Sequence, residues 1–299
     1  MKKSIVFFTL FLLQTLLFAQ TSVWKIQYNK ETIYLGGTVH LLRAQDYPLP
    51  LEYEKAYQNS NSIYFETDLQ TLESPDMQKN IIDSLVYKNG KTLSNILSPS
   101  VYKALNEYAK SKGINLQQFD NFKPAMILLS LTVLELKTMG ITSQGVDKFY
   151  LTKSLTDKKH IGELESVQTH INYISSMGKG NENNLILQSL KDLKETKKKF
   201  KEMLQAWRNG ESQTIYKLFV ADMKKYTPKL YKSILVERNN NWMPILKSLF
   251  KNNKTEFVLV GNCHLYKNDA ADDHTGGDLG GRRHINKKKK RTRKRKVES

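Results

Sequence analysis

The feature that most constrains the fold is a short apolar run late in the chain, Phe257-Val-Leu-Val260, which leads straight into Gly261 and then His264. A strand that alternates polar and apolar residues covers a core with one face only. An unbroken run of large apolar residues needs cover on both faces, the setting of an inner strand in an α/β sheet. A segment near the other end, Ile33-Tyr-Leu-Gly-Gly-Thr-Val-His40, repeats the design: a β-rich stretch, then a glycine, Gly37, three residues before a histidine. The expected strands are 32–42 and 256–265, with a third over 62–68, Ser-Ile-Tyr-Phe-Glu-Thr-Asp. A short helix over 50–59 separates the first and third, a strand–helix–strand unit that suggests a parallel pair.

The middle of the chain reads as helical. Ser98 is placed to cap a helix with Pro99 at its first position, carrying Val101, Leu105 and Tyr108 on one stripe and ending before Gly113. Pro124 opens a helix over 125–139 that is apolar nearly all round and is therefore expected to be buried. A short strand over 159–164 precedes helices over 167–177 and 185–208, the latter broken by Asn209-Gly210. Helices over 215–223 and 226–236 follow, and Asn241 is placed to cap another over 242–250. The expected class is α/β: a central, mostly parallel or mixed sheet built from N- and C-terminal strands, with a large helical insert.

Lys2 and Lys3 precede an apolar stretch from Ile5 to Phe18, and Ala19 supplies a small residue for cleavage. That order marks residues 1–20 as a secretory signal peptide; the stretch is shorter than the ~20 residues a spanning helix needs. The expected destination is periplasmic, cell-surface or secreted. Residues 21–266 then form the folded domain. Cys263 is the single cysteine, so the chain cannot form an internal disulfide. It reads as a small buried hydrophobe, with a soft metal ligand or a redox-sensitive thiol as alternatives.

The formal charge of +18 is unevenly placed. Residues 267–299 carry twelve Lys/Arg against five Asp/Glu and have almost no large apolar side chains, so this basic tail is read as disordered. Its lysine and arginine run suits weak contact with an anionic surface. His274 and His284 with Asp272 and Asp273 are a weak metal signal, because nothing fixes their spacing. In the body, lysine runs such as 197–201 suit a solvated helix face better than a nucleic-acid groove, so no specific nucleic-acid partner is expected.

In an open α/β sheet, reactive groups gather at the carboxyl ends of strands, where His40 and His264 both fall. Neutral imidazoles are good ligands for first-row divalent metals, and a carboxylate often completes the set. Glu66, at the end of the third strand, is the natural third member. One Gly-x-x-His is a weak signal, since a strand-end histidine is commonly a hydrogen-bonded structural residue. Two of them, on strands from opposite ends of one domain, are more specific.

Six segments in order extend this reading: Tyr34-Leu-Gly-Gly-Thr-Val-His40, Phe65-Glu-Thr-Asp68, Gln144-Gly-Val-Asp147, Glu163-Leu-Glu165, Glu237-Arg-Asn239 followed by Trp242, and Val260-Gly-Asn-Cys-His264. The chain thereby resembles the TraB/PrgY/GumN family, related to the Tiki metalloproteases. The resemblance implies a hydrolase-like fold and a divalent-metal site, with manganese or cobalt, or zinc, as cofactor. It places His40, Glu66 and His264 as metal ligands and Glu66, Arg238 and Asn239 as catalytic or pocket-lining groups. Arg238 would clamp a substrate carboxylate or steady an oxyanion. Asp147 and Glu165 would orient ligands or cap helices.

The implied function is an exported metal-dependent hydrolase, most simply a peptidase acting on a peptide or protein substrate. Alternatives are a non-catalytic protein of the same fold that sequesters a peptide, and a haem-holding role for the paired histidines. After the second motif the family usually continues with Gly-x-x-Gly-Leu, a helix and a closing strand. Here Tyr266-Lys-Asn-Asp-Ala-Ala-Asp-Asp and the basic run stand instead. That departure leaves catalysis open and allows a non-native end. Oligomeric state is not legible in the sequence.

Overall fold

The structure, a computed structural model, describes residues 21–28, 30–141 and 144–265. The expected signal peptide and basic tail lie outside the described residues. Five strands form one mixed sheet: β1 (Val23–Tyr28), β2 (Glu31–Thr38), β3 (Ser62–Phe65), β4 (His160–Glu163) and β5 (Thr255–Gly261), in the order β1-β2-β5-β3-β4. β1 pairs antiparallel with β2, and every other pairing is parallel. The α/β class with a helical insert therefore holds.

The register explains why β5 is apolar throughout. It lies between β2, with Leu35 opposite Val258, and β3, with Tyr64 opposite Val258. Its side chains alternate between two cores. Phe257 and Leu259 enter a cluster with Tyr53, Tyr150 and Trp207, while Val258 and Val260 pack with Ile33, Leu164 and Trp242 on the other face. Gly36 makes room for this crossing: a Cβ there would lie 2.7 Å from Leu259 and 2.8 Å from Phe257. β2 and β3 run parallel as expected, but the last strand inserts between them, so they are not a direct pair.

Helix α1 (Leu51–Gln58) makes the crossover from β2, burying Tyr53, Ala56 and Tyr57. Helices α2 (Pro99–Ser111), α3 (Pro124–Lys137), α4 (Val146–Thr156), α5 (Val167–Ser175) and α6 (Glu182–Arg208) follow, and α7 (Arg238–Leu249) precedes β5. α2, α3 and α6 share a separate core of their own around Leu105, Leu131 and Ile186, which makes the insert a cap. No helix among the described residues is long and apolar enough to cross a membrane.

Several local expectations are corrected. β1, unread in the sequence, forms an edge by pairing Val23 with Gly36 and Tyr28 with Glu31. Helices Leu69–Leu72, Pro75–Ser84 and Leu93–Ile96 were also unread; Asp68, Ser74 and Thr92 accept backbone N–H bonds at their starts. Ser98 stands at the N-cap of α2 but makes no capping bond with its side chain. α3 is not wholly buried, since Leu129 is 42 % and Val133 40 % exposed. α7 begins three residues before Asn241, so Asn241 lies inside the helix. The helical stretch before it contains two π turns, Tyr216–Val220 and Lys232–Glu237, the second running directly into Arg238.

Candidate functional site

The carboxyl ends of β2, β5 and β3 lie side by side, and each chain turns away from the sheet within a few residues. His40 sits two residues past β2, Glu66 one past β3, and His264 three past β5 in a short 3-10 turn, Asn262–Leu265. Gly261 is where they converge. The place its Cβ would take lies 3.2 Å from Glu66 Oε1, 3.5 Å from His264 Cδ2 and 3.8 Å from His40 Nε2. A glycine at this position leaves a cradle that any side chain would fill.

Each imidazole is oriented from behind. His40 Nδ1 lies 2.8 Å from Asp147 Oδ2, on the first turn of α4. That helix is docked by the Val146 N–H on the Val39 carbonyl, 3.0 Å, with Gly145 against the His40 backbone where a Cβ would collide. His264 Nδ1 lies 2.7 Å from Asn239 Oδ1, and Asn239 Nδ2 donates to the His264 carbonyl at 3.2 Å. A neutral imidazole that donates its Nδ1–H outward has its lone pair on Nε2; on His264 that nitrogen lies 3.4 Å from Arg238 Nη1.

Glu66 and Glu165 are held adjacent because the β3–β4 ladder continues past both strands: Leu164 N–H donates to Phe65 O and Glu165 N–H to Glu66 O. Arg238 lies between the carboxylates. Its Nη2 donates to Glu66 Oε2 and to Glu165 Oε1, both at 2.6 Å, and its Nε to Glu165 Oε2 at 3.2 Å. The guanidinium lies over the rings of Trp242, 4.8 Å, and Tyr173, 5.5 Å. Trp242 Nε1 donates to Glu165 Oε2 at 2.9 Å. Glu66 keeps Oε1 for the cradle, where it accepts from Gly261 N–H at 2.7 Å and stands 3.9 Å from His264 Nε2.

The charge states follow from these contacts. Burial opposes ionisation of Glu66, but His264, Arg238 and His40, with the Gly261 N–H, outweigh it and hold the carboxyl at about 2. Burial acts on Glu165 in the same sense and is outweighed by bonds from His170 and Arg238, so its pKa is lowered. Burial holds His264 down at about 4, leaving it neutral at pH 7. Two carboxylates thus face one guanidinium, and the buried part of the site carries one excess negative charge. His40 differs: its side chain is 66 % exposed, and the Asp147 carboxylate raises it to about 9.

Two groups of donors suggest a metal, and they fit differently. Among the described residues, Glu66, Glu165 and His170 have ligand atoms all within 4.8 Å of one another. Arg238 Nη2 occupies that space already, 2.6 Å from each carboxylate and 3.3 Å from His170 Nδ1. This group is a socket for a guanidinium. His40, Glu66 and His264 are spaced more widely; they offer two oriented rings and one anionic oxygen beside an excess negative charge, and an ion there requires His40 to give up its proton and Arg238 Nη1 to move off His264 Nε2. Buried polar atoms without a partner in the protein, Thr38 Oγ1, Thr67 Oγ1 and Asn262 Nδ2, belong to residues flanking the same strand ends.

The sequence-predicted residues His40, Glu66, Arg238, Asn239 and His264 are thus brought to one region. Arg238 is engaged by carboxylates of its own chain, with Nη1 3.4 Å from His264 Nε2. Asp147 stands behind His40, whereas Glu165 holds Arg238 and caps no helix; Ser166 is the cap of α5. Cys263 is half-buried, and burial pushes its thiol up to about 12. Sequence reasoning missed His170, which reaches Glu165 Oε1 at 2.9 Å from α5, and Tyr173 one turn later. Neither belongs to a spaced motif; the one available signal was their position on the helix that follows Glu163-Leu-Glu165.

Fold and site together define an α/β protein with a buried polar centre of carboxylates, imidazoles and one guanidinium at the carboxyl edge of its sheet. A family model described as the TraB/PrgY/gumN family matches residues 22–271, and the chain belongs to that family. No curated protein and no solved structure matches it.

Proposed function

We propose that this chain is an exported metal-dependent hydrolase of the peptidase type, its ion held by His40, Glu66 and His264. The observation that carries this reading is the Gly261 cradle, onto which Glu66 Oε1, His264 and His40 Nε2 converge while Asp147 and Asn239 tie the far ring nitrogens. Manganese, cobalt and zinc are the ions the resemblance and the donor set suit, and the motif resemblance to Tiki metalloproteases is the reason for proposing peptide bonds as substrate. When bound, the ion supplies Lewis-acid polarisation of a carbonyl and lowers the pKa of water.

The chain's own residues divide the remaining work. Glu66, held at about 2, is too weak a base for proton transfer near neutrality and serves as a ligand. Arg238 keeps Glu66 ionised and aimed, and Asn239 holds the His264 tautomer. His40, on the exposed side, leaves the cradle open to an extended peptide.

The test is metal content and peptide hydrolysis of the purified chain. The expected result is about one divalent ion per chain, lost in His264→Ala together with cleavage. A wild-type protein that stays metal-free under saturating manganese, cobalt and zinc would sink the reading. One observation favours a sequestering protein of the same fold: Arg238 Nη1, 3.4 Å from His264 Nε2, covers the lone pair that an ion needs. A stable complex with intact peptide, and no product after long incubation with metal, would support that second reading.

A further inference from the structure

Glu165 immediately precedes Ser166, the cap of α5, and His170 is the fourth residue of that helix. Side chains at these two positions ordinarily meet as an apolar staple that fixes how the chain enters a helix. Here a carboxylate and an imidazole meet instead, with His170 Nδ1 2.9 Å from Glu165 Oε1.

The tautomer of His170 follows from the guanidinium beside it. Nδ1 can donate to Glu165 Oε1 or accept from Arg238 Nη2, 3.3 Å away. Nη2 carries two hydrogens, and both are given to carboxylates, Glu66 Oε2 and Glu165 Oε1, at 2.6 Å. Nδ1 is therefore the donor, and the neutral ring has its lone pair on Nε2. That nitrogen has no hydrogen-bond partner among the described residues, and the side chain is 18 % exposed.

The other groups of the centre are engaged. Glu66 accepts from Arg238 on Oε2 and from the Gly261 N–H on Oε1. Glu165 accepts from Arg238 and His170 on Oε1, and from Arg238 and Trp242 on Oε2. His40 and His264 are tied at Nδ1 by Asp147 and Asn239, and their Nε2 atoms are the ones assigned above to the ion. His170 stands beside this set, since the ligand atoms of Glu66, Glu165 and His170 lie within 4.8 Å of one another. Imidazole is the side chain that most often moves protons in catalysis, and a carboxylate behind its Nδ1–H holds the ring and stabilises its cation.

Building on the reading of this site as a hydrolase, we propose that His170 is the base that takes the proton of the attacking water. Nε2 accepts the proton as the water oxygen bonds to the scissile carbonyl carbon and the C=O π pair moves to the carbonyl oxygen. That pair returns as the C–N bond breaks, and the imidazolium gives its proton to the leaving amine. The products are a carboxylic acid and an amine, and the base is regenerated.

The test uses the full chain with manganese and dye-labelled casein. His170→Ala should change manganese affinity by less than the ~10-fold that losing the support of a ligand costs. Its kcat should fall ~100–10,000-fold, the usual contribution of a general base, and added imidazole should restore part of the rate. His170→Gln keeps an N–H for Glu165 but supplies no base, so it should fold as stably as wild type and remain as inactive as His170→Ala. Proton–nitrogen NMR of the metal-free protein should show His170 as the Nδ1–H tautomer. Wild-type kcat in either folded variant, loss of manganese together with activity, or an Nε2–H tautomer would each overturn the proposal and leave the hydrolase reading standing. A wild-type chain that leaves casein intact at saturating manganese counts against that reading and takes this proposal with it.

Discussion

Gly261→Ala adds a single methyl group at the point where the candidate ligands meet. The backbone of Gly261 is not in the left-handed region, so alanine costs nothing there in conformation, and replacing a strand glycine gains ~0.5–1 kcal/mol. Against that, the new methyl lies 3.2 Å from Glu66 Oε1, tight enough that the carboxylate must retreat by a few tenths of an ångström. Overpacking of this kind costs ~1–3 kcal/mol, so the two effects leave stability within ~2 kcal/mol of wild type. The effect on metal is larger. Changes behind a ligand lower affinity ~10–100-fold, and here a ligand itself is displaced while the cradle is filled, so the expected loss is at least ~100-fold, or ~2.7 kcal/mol. Thermal unfolding without metal and manganese or zinc titration of the same preparation separate the two quantities. A folded Gly261→Ala protein that binds the ion as tightly as wild type would refute the placement of the ion among His40, Glu66 and His264.

The other predictions concern the charges and the thiol. Asp147→Asn removes the main cause of the raised His40 pKa, which should fall from about 9 towards the ordinary imidazole value in an NMR titration. An ion on His40 must displace that proton, so wild-type metal affinity should rise with pH up to about 9, and a pH-independent affinity between pH 6 and 8 would count against His40 as a ligand. Arg238→Ala leaves Glu66 and Glu165 buried without their cation and should destabilise by ~3–5 kcal/mol in urea unfolding. Glu66 is lowered to about 2, so the stability its ionised form contributes is present above the unfolded carboxyl pKa and fades as pH falls through about 2; Glu66→Gln should flatten that acid limb. Cys263, with its thiol pushed up to about 12, should react with iodoacetamide at pH 8 far more slowly in the native protein than in urea, and equal rates would contradict its protected placement.

The central strand, the helical insert and the site candidates were legible because each left a local mark. Phe257-Val-Leu-Val260 is apolar on both sides because β5 is covered on both sides, and Gly37 and Gly261 punctuate the strand ends that deliver His40 and His264. β1 was missed although Trp24-Lys-Ile-Gln-Tyr28 alternates apolar and polar residues as a half-buried edge strand does; the run is short and follows closely on the expected cleavage site. The insertion of β5 between β2 and β3 was likewise invisible: pairing partners far apart in the chain are selected by packing, and periodicity carries no record of them.

The same division runs through the site. Residue type and spacing pointed to His40, Glu66 and His264 as site candidates, and the family resemblance added Arg238 and Asn239. Only tertiary structure decided that Arg238 is held by Glu66 and Glu165, that His170 joins them from α5, and that Asp147 and Asn239 fix opposite rings. Those contacts join residues from different strands and helices, and burial in a shared low-dielectric space is what gives such charges their roles; a linear sequence names the charges but not the distances between them.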